Sequence, residues 1–166
     1  MTAPTHHLPG GGFRNPWPQA SAPERGPGAF FQWQLERLRD GGRPPPPPPA
    51  DALPLVASEV AYPRAAAGEL RVTWVGHSTL LVQIHGWNVL ADPVWSERAS
   101  PVQWLGPRRL VPPGLAWTAL PDIDAVVISH DHYDHLDRPT IRTLAKTRAA
   151  TPFVTSLGVG ERLVGF

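Results

Sequence analysis

The stretch VVISHDHYDHLD, residues 126–137, sets three histidines and three aspartates directly behind an apolar run. The run from Asp124 to Ser129 has the unbroken apolar character of a strand covered on both faces. In extended backbone, residues two apart point the same way, so His130 and His132 can bite one ion together. Asp134 and His135 lie one tight turn further on, within reach of a second ion. Two metals roughly 3.5–4 Å apart lower the pKa of a shared water and clamp the attacking and leaving oxygens. The chemistry implied is hydrolysis. A merely polar surface loop is the competing reading, but four ligand-type side chains within six residues of a strand end argue against it. Asp131 sits between two ligand positions and should point away. Asp137 reads as a helix N-cap, and Tyr133 as a packing residue that could instead face substrate.

Zero cysteines exclude disulfides and thiolate ligands, leaving imidazole and carboxylate, a donor set suited to zinc, iron or manganese. A net charge of +1 without a basic run argues against a nucleic-acid partner. The N-terminus MTAPTHHLPGGGFRNPWP lacks the apolar core of a secretory signal. No run approaches the roughly 20 apolar residues that span a bilayer. Composition therefore points to a soluble, cytoplasmic protein.

Downstream of the histidines, Asp137 with Pro139 in the first turn opens a helix through about Arg148. Pro152 to Thr155 would be a second, parallel strand, completing a βαβ unit. Gly158 to Phe166 resembles a helix barely begun, which suggests a truncated chain or one half of a larger fold. Upstream, Leu70, Val72 and Trp74 alternate with polar neighbours, Leu80 to Ile84 is apolar with one break, and His85-Gly86 offers a turn before Trp87 to Leu90. That is a β-meander, closed by Asp92-Pro93. Val94 to Leu120 is a long loop without period.

Most of the 22 prolines lie before position 64 or between Pro93 and Pro121. Residues 1–68 therefore read as a Pro/Gly-rich arm, with a short helix at 30–40 carrying Phe31, Leu35 and Leu38 on one face and ended by Gly41-Gly42. Pro44 to Pro49 is polyproline II, a spacer rather than a recognised ligand. Residues 69–166 form the α/β domain.

The H-x-H-x-D-H pattern of His130, His132, Asp134 and His135 resembles the signature of the metallo-β-lactamase superfamily. RVTWVGHSTLLVQIHGWNVLADPVWSERASPVQWLGPRR, then LPDIDAVVISHDHYDHLD, and the early FRNPWP are similar to the N-acyl-phosphatidylethanolamine-hydrolysing phospholipase D group. The resemblance implies the N-terminal part of an αβ/βα sandwich with two zincs per complete site, other divalent metals being possible. It assigns His130 and His132 to the first zinc and Asp134 and His135 to the second, with Asp134 part of the catalytic centre. Asp92 matches the family's early structural aspartate that braces the ligand loop. In that family each zinc takes a further histidine and both share an aspartate, all downstream. Here no histidine follows His135 and no aspartate follows Asp137, so the domain reads as incomplete at its C-terminus and its metal binding as weak.

The function implied is a zinc-dependent phosphodiesterase acting on a phospholipid or small-molecule substrate, with peripheral membrane contact allowed. A lactone or ester hydrolase of the same fold, or a non-catalytic metal-fold fragment, are the alternatives. The resemblance places His77, in Gly-His-Ser-Thr, near the site, as a residue that orients a ligand, contacts substrate or is simply structural. Arg108 and Arg109 could clamp a phosphate or be a solvated pair. Trp95, Trp104 and Trp117 are expected to pack on the domain, lining an acyl-chain groove being the alternative. His85 should be exposed in its turn, and His6 and His7 without order in the arm.

Overall fold

Three antiparallel strands and two parallel ones make a single five-stranded sheet in the order β1-β2-β3-β4-β5: Leu70–Gly76, Thr79–Ile84, Trp87–Ala91, Ala125–Ile128 and Phe153–Thr155. The structure is a computed structural model that describes residues 6–10, 12–14, 28–39, 48, 49, 52 and 56–164. The chain divides into two compact units, residues 1–47 and 48–166.

In the first unit, helix α1 spans Gly28–Arg39, close to the range expected. Phe31 and Leu35 are exposed rather than on a buried face. His7 pairs in an antiparallel bridge with Phe13, so His6 and His7 sit in a small ordered turn instead of an unstructured arm. The Gly41-Gly42 stop and Pro44 to Pro47 fall outside the described residues.

The second unit follows the meander and βαβ pattern closely. His85 and Gly86 make the β2–β3 turn, both with positive φ, and His85 is exposed there. After β4, helix α2 (Arg138–Thr147) crosses over and returns the chain to β5, parallel to β4. A short helix α3, Val159–Leu163, follows. α2 presents Ile141 and Leu144 to the sheet, where they join Val75, Leu81, Leu90, Val126 and Ile128 in one cluster. Each of the fully buried leucines, 81, 90 and 144, contributes about 1.5–3 kcal/mol by leaving water.

The opposite face carries the other half of the strand alternation. Leu70, Val72 and Trp74 align across the register with Ile84, Val82 and Leu80, then Trp87, Val89 and Ala91, and on to Ala125, Val127 and Val154. All are apolar, yet Trp74 is 68% and Trp87 57% exposed. β4 was expected to be covered on both faces. Among the described residues its cover is one-sided: Val126 and Ile128 are buried, while Ala125 and Val127 are only half-buried.

Asp137 occupies the N-cap position of α2 without making a capping hydrogen bond. Its carboxylate, 3% exposed as a residue, instead accepts the backbone N–H groups of Trp95 (3.2 Å) and Ser96 (3.0 Å) and the Ser96 hydroxyl (2.8 Å). Thr140 Oγ1 donates to it as well, at 2.5 Å. The cap is thus diverted to anchor the start of the long loop after β3. That loop is not wholly irregular, since it holds an Arg98–Arg108 bridge and a 3₁₀ turn at Trp117–Ala119.

Residues 56–66, on the arm side of the boundary read from the sequence, are bonded to the sheet. Buried Gln83 accepts from the Ala61 N–H at 3.0 Å and donates to the Ala61 carbonyl at 2.8 Å. Asn88 donates to the Pro63 carbonyl (3.0 Å) and the Asp122 carbonyl (2.7 Å). Arg64 forms an ion pair with Asp124. Amides buried between strands must find partners, and the backbone of 61–63 supplies several of them.

Candidate metal centre

Asp92, the first residue after β3, lies in left-handed backbone with φ 42°, a conformation uncommon for any residue but glycine. Its N–H donates to Val127 O (2.8 Å) and its carbonyl accepts from Thr79 Oγ1 (2.8 Å). So fixed, the carboxylate turns to the far end of β4. Oδ1 accepts the Ser129 N–H at 2.7 Å, and Oδ2 accepts the Ser129 hydroxyl at 2.7 Å and faces His135 Nδ1 at 2.9 Å. When His135 donates Nδ1–H to this carboxylate, its Nε2 carries the lone pair, the state in which imidazole ligates a metal.

Ser129 extends the same polarity to His130, whose Nδ1 is 2.9 Å from the serine hydroxyl. His130 Nε2 in turn lies 3.1 Å from His132 Nδ1. Their lone pairs can therefore converge, but not by the extended geometry expected. β4 ends at Ile128, and the motif itself is a turn in which the N–H groups of His135 and Leu136 both donate to His132 O, at 3.0 and 2.7 Å. The turn also brings the His130 and His135 rings to 4.0 Å between centroids. Asp131 points away and pairs with Arg162 at 2.7 Å.

The β1–β2 turn closes the other side. Gly76 has φ 137°, a backbone region that side chains rarely adopt, and it delivers His77 at φ 52°. Trp74 Nε1–H donates to His77 O at 2.8 Å. His77 Nε2 then lies 2.9 Å from Asp134 Oδ2, and Ser78 Oγ donates to Asp134 O at 2.6 Å. Asp134 is held by both its main chain and its side chain. Burial alone would raise its carboxyl, yet the His77 hydrogen bond, its own N–H and the fields of His135 and His77 outweigh that and hold it below the ordinary value. A carboxylate kept ionised beside imidazoles is a fit receptor for a divalent cation. His77, Asp134 and His135 each offer an atom within 4.8 Å of the others.

The remaining candidates have contacts of their own. Arg109 donates Nε–H to Ser96 O (3.1 Å) and an Nη2 hydrogen to Val94 O (2.7 Å). Burial lowers its pKa, against the raising field of Asp137. Arg108 is exposed and pairs with Glu97 at 3.3 Å. Trp95 and Trp117 pack edge to face at 5.4 Å against the core. Trp104, expected to pack too, is 78% exposed, because it sits at the solvent tip of the loop. Tyr133 is likewise exposed rather than packed. Ser78 and Ser129 were not singled out from sequence. Their only signal there is adjacency to His77 and His130, and hydroxyls so placed are too common to mark a site.

Residues 87–165 match the family described as the beta-lactamase superfamily domain. Proteins of Mycobacterium tuberculosis and Mycobacterium bovis, both named as uncharacterised, are 49% identical over 131 residues, 79% of this chain and 33% of theirs. The N-acyl-phosphatidylethanolamine-hydrolyzing phospholipase D 1 of Caenorhabditis elegans is 41% identical over 90 residues, covering 54% of this chain and 25% of its own. A UPF0173 metal-dependent hydrolase of Anaeromyxobacter is 40% identical over 105 residues, 63% and 33% of the two chains. The chain thus spans between a quarter and a third of the length of these curated relatives.

Proposed function

We propose that this chain, whose residues 87–165 match the beta-lactamase superfamily domain and which is similar to metal-dependent hydrolases, carries the metal-ligating loop of a zinc-dependent phosphodiesterase of the phospholipase D kind. The observation that carries this reading is the Asp92–His135 pair, which sets one imidazole in the ligating tautomer beside an ionised Asp134. His130 and His132 would hold one zinc, Asp134 and His135 the other. All donors are nitrogen or oxygen, and zinc accepts such sets. When bound, zinc would supply Lewis-acid polarisation of a phosphoryl oxygen and ease deprotonation of water.

The chain's own residues supply orientation. Asp92 and Ser129 set the tautomers of His135 and His130, Ser78 fixes the Asp134 main chain, and Asp137 pins the loop that follows Asp92. Arg109 spends at least two of its donors on loop carbonyls, so it acts as a brace, and exposed Arg108 is the better placed of the two to meet a phosphate. The phosphodiester substrate is taken from the named activity of the nematode relative, and fold alone does not choose a substrate. Among the described residues no helix is long and apolar enough to cross a membrane; contact with a phospholipid at a membrane surface, from the cytoplasm, is part of the proposal.

The test is zinc content of the purified chain after dialysis, together with turnover of N-acyl-phosphatidylethanolamine, a plain phosphodiester and a lactone. The expected result is zinc held weakly but above background, with the phosphodiester cleaved faster than the lactone. Lactone cleavage alone would move the assignment to ester hydrolysis, and zinc at background level would remove the metal reading altogether.

A further inference from the structure

Arg109 turns its guanidinium onto backbone from two different parts of the fold. Nε–H donates to Ser96 O at 3.1 Å and Nη2 to Val94 O at 2.7 Å, while Nη1 stands 3.5 Å from where a Cβ on Gly76 would begin. One planar group therefore touches both the segment that follows Asp92 and the backbone entering the β1–β2 turn. We propose that Arg109 is a positioning residue of the metal centre, which fixes Asp92 and, through Asp92, the ligating tautomer of His135. The proposal rests on the metal reading above and deepens it by a residue that acts at one remove.

Beyond Asp92 the chain is held by side chains rather than by a strand ladder. Thr79 Oγ1, fully buried, donates to Asp92 O at 2.8 Å and accepts the Val94 N–H at 3.0 Å. Asp137 accepts the N–H groups of Trp95 and Ser96, and Arg109 donates to the carbonyls of Val94 and Ser96. Opposite charges thus grip the same short run of peptide groups, and the Asp137 field supports the guanidinium against burial. Asp92 itself needs such a grip. A non-glycine residue in left-handed backbone persists only where its surroundings over-determine it, and Asp92 has φ 42°. Releasing the two carbonyls would let this residue relax and swing its carboxylate away from the Ser129 N–H and His135 Nδ1. Lysine cannot stand in, because a point charge on a flexible stem lacks the rigid fork that spans both carbonyls.

Arg109→Lys keeps the charge and removes the fork, so it tests positioning rather than charge. In the zinc-free full chain, proton–nitrogen correlation spectra of the imidazoles read the His135 tautomer directly. Wild type should show mainly Nδ1–H, and Arg109→Lys, like Asp92→Asn, a mixture with Nε2–H. Zinc affinity, measured by chelator competition, should fall about tenfold in Arg109→Lys, the low end of the 10- to 100-fold typical of groups that orient a ligand. The double variant should bind zinc no more weakly than Asp92→Asn alone, since both changes act through one carboxylate. A lowered urea midpoint with wild-type tautomer and affinity would reduce Arg109 to a loop brace and overturn the proposal. Full additivity in the double variant would overturn it too, as would weakened binding of inorganic phosphate with the tautomer unchanged. Zinc at background in every chain, with the tautomer still shifting in Arg109→Lys, would sink the metal reading and leave the link from Arg109 through Asp92 to His135 standing.

Discussion

Asp92 Oδ2 lies 2.9 Å from His135 Nδ1, joining the end of β3 to a residue 43 positions later. The same carboxylate holds the Ser129 N–H and hydroxyl, so one side chain sets both the path of the ligand loop and the tautomer of its last histidine. Residues in this position typically matter 10- to 100-fold for metal affinity. Asp92→Asn keeps the shape but loses the charge that favours Nδ1–H. Its zinc affinity, read by competition with a chelating dye, should fall by about that factor with little change in fold.

Asp137 tests whether the diverted cap is structural. Asp137→Ala would strand the N–H of Ser96 and leave the N–H of Trp95 only the Thr140 hydroxyl at 3.1 Å, and an unsatisfied buried donor costs about 1–3 kcal/mol. A loss of about 3 kcal/mol in urea unfolding is expected, with a shift in tryptophan emission as Trp95 loosens. A loss of about 1 kcal/mol or less, the usual worth of an ordinary cap, would mean that the loop is held by other contacts.

Acid should weaken the second unit through Asp124. Its hydrogen bond with Arg64 lowers its pKa, burial opposes that, and the Asn88 N–H and the Arg64 charge lower it further. A carboxyl depressed in the native state stabilises the fold above the unfolded value of about 3.9, and that contribution fades as pH falls through the lower native value. The urea midpoint should therefore drop as the pH falls below about 4. In Asp124→Asn the midpoint should start lower at pH 6 and fall less steeply. Parallel profiles for the two proteins would exclude Asp124 as a source of the acid sensitivity.

Most strand positions were legible because their signals are local. His85-Gly86 marks a turn whichever way the sheet faces, and Asp92-Pro93 stops β3 through the missing proline donor. The βαβ unit was legible from its apolar run, its N-terminal proline and its second short strand. The use made of Asp137 was not, since an aspartate before a helix reads as a cap, and only the packed loop shows which donors reach it first. Gln83 and Asn88 likewise look like solvent-facing interruptions of an apolar pattern. In the fold they point inward and grip residues 61–63.

The apolar alternation of Leu70, Val72 and Trp74 reads as a core-facing pattern. It lies instead on the exposed side, while Thr73 and Val75 turn inward. Period 2 specifies two faces but not which is covered, and the side on which α2 packs makes that choice.

The amino-acid sequence by itself determined the strands, the crossover helix and the six-residue ligand motif, because each depends on neighbours a few positions apart. Only the tertiary structure decided that His77 meets Asp134, that Asp92 meets His135 and that Asp137 serves a loop rather than a helix. Those contacts join residues 41 to 57 positions apart. They form because β3 and β4 pair in parallel and the β1–β2 turn opens at the same end of the sheet, an arrangement that exists only once the hydrophobic face has packed.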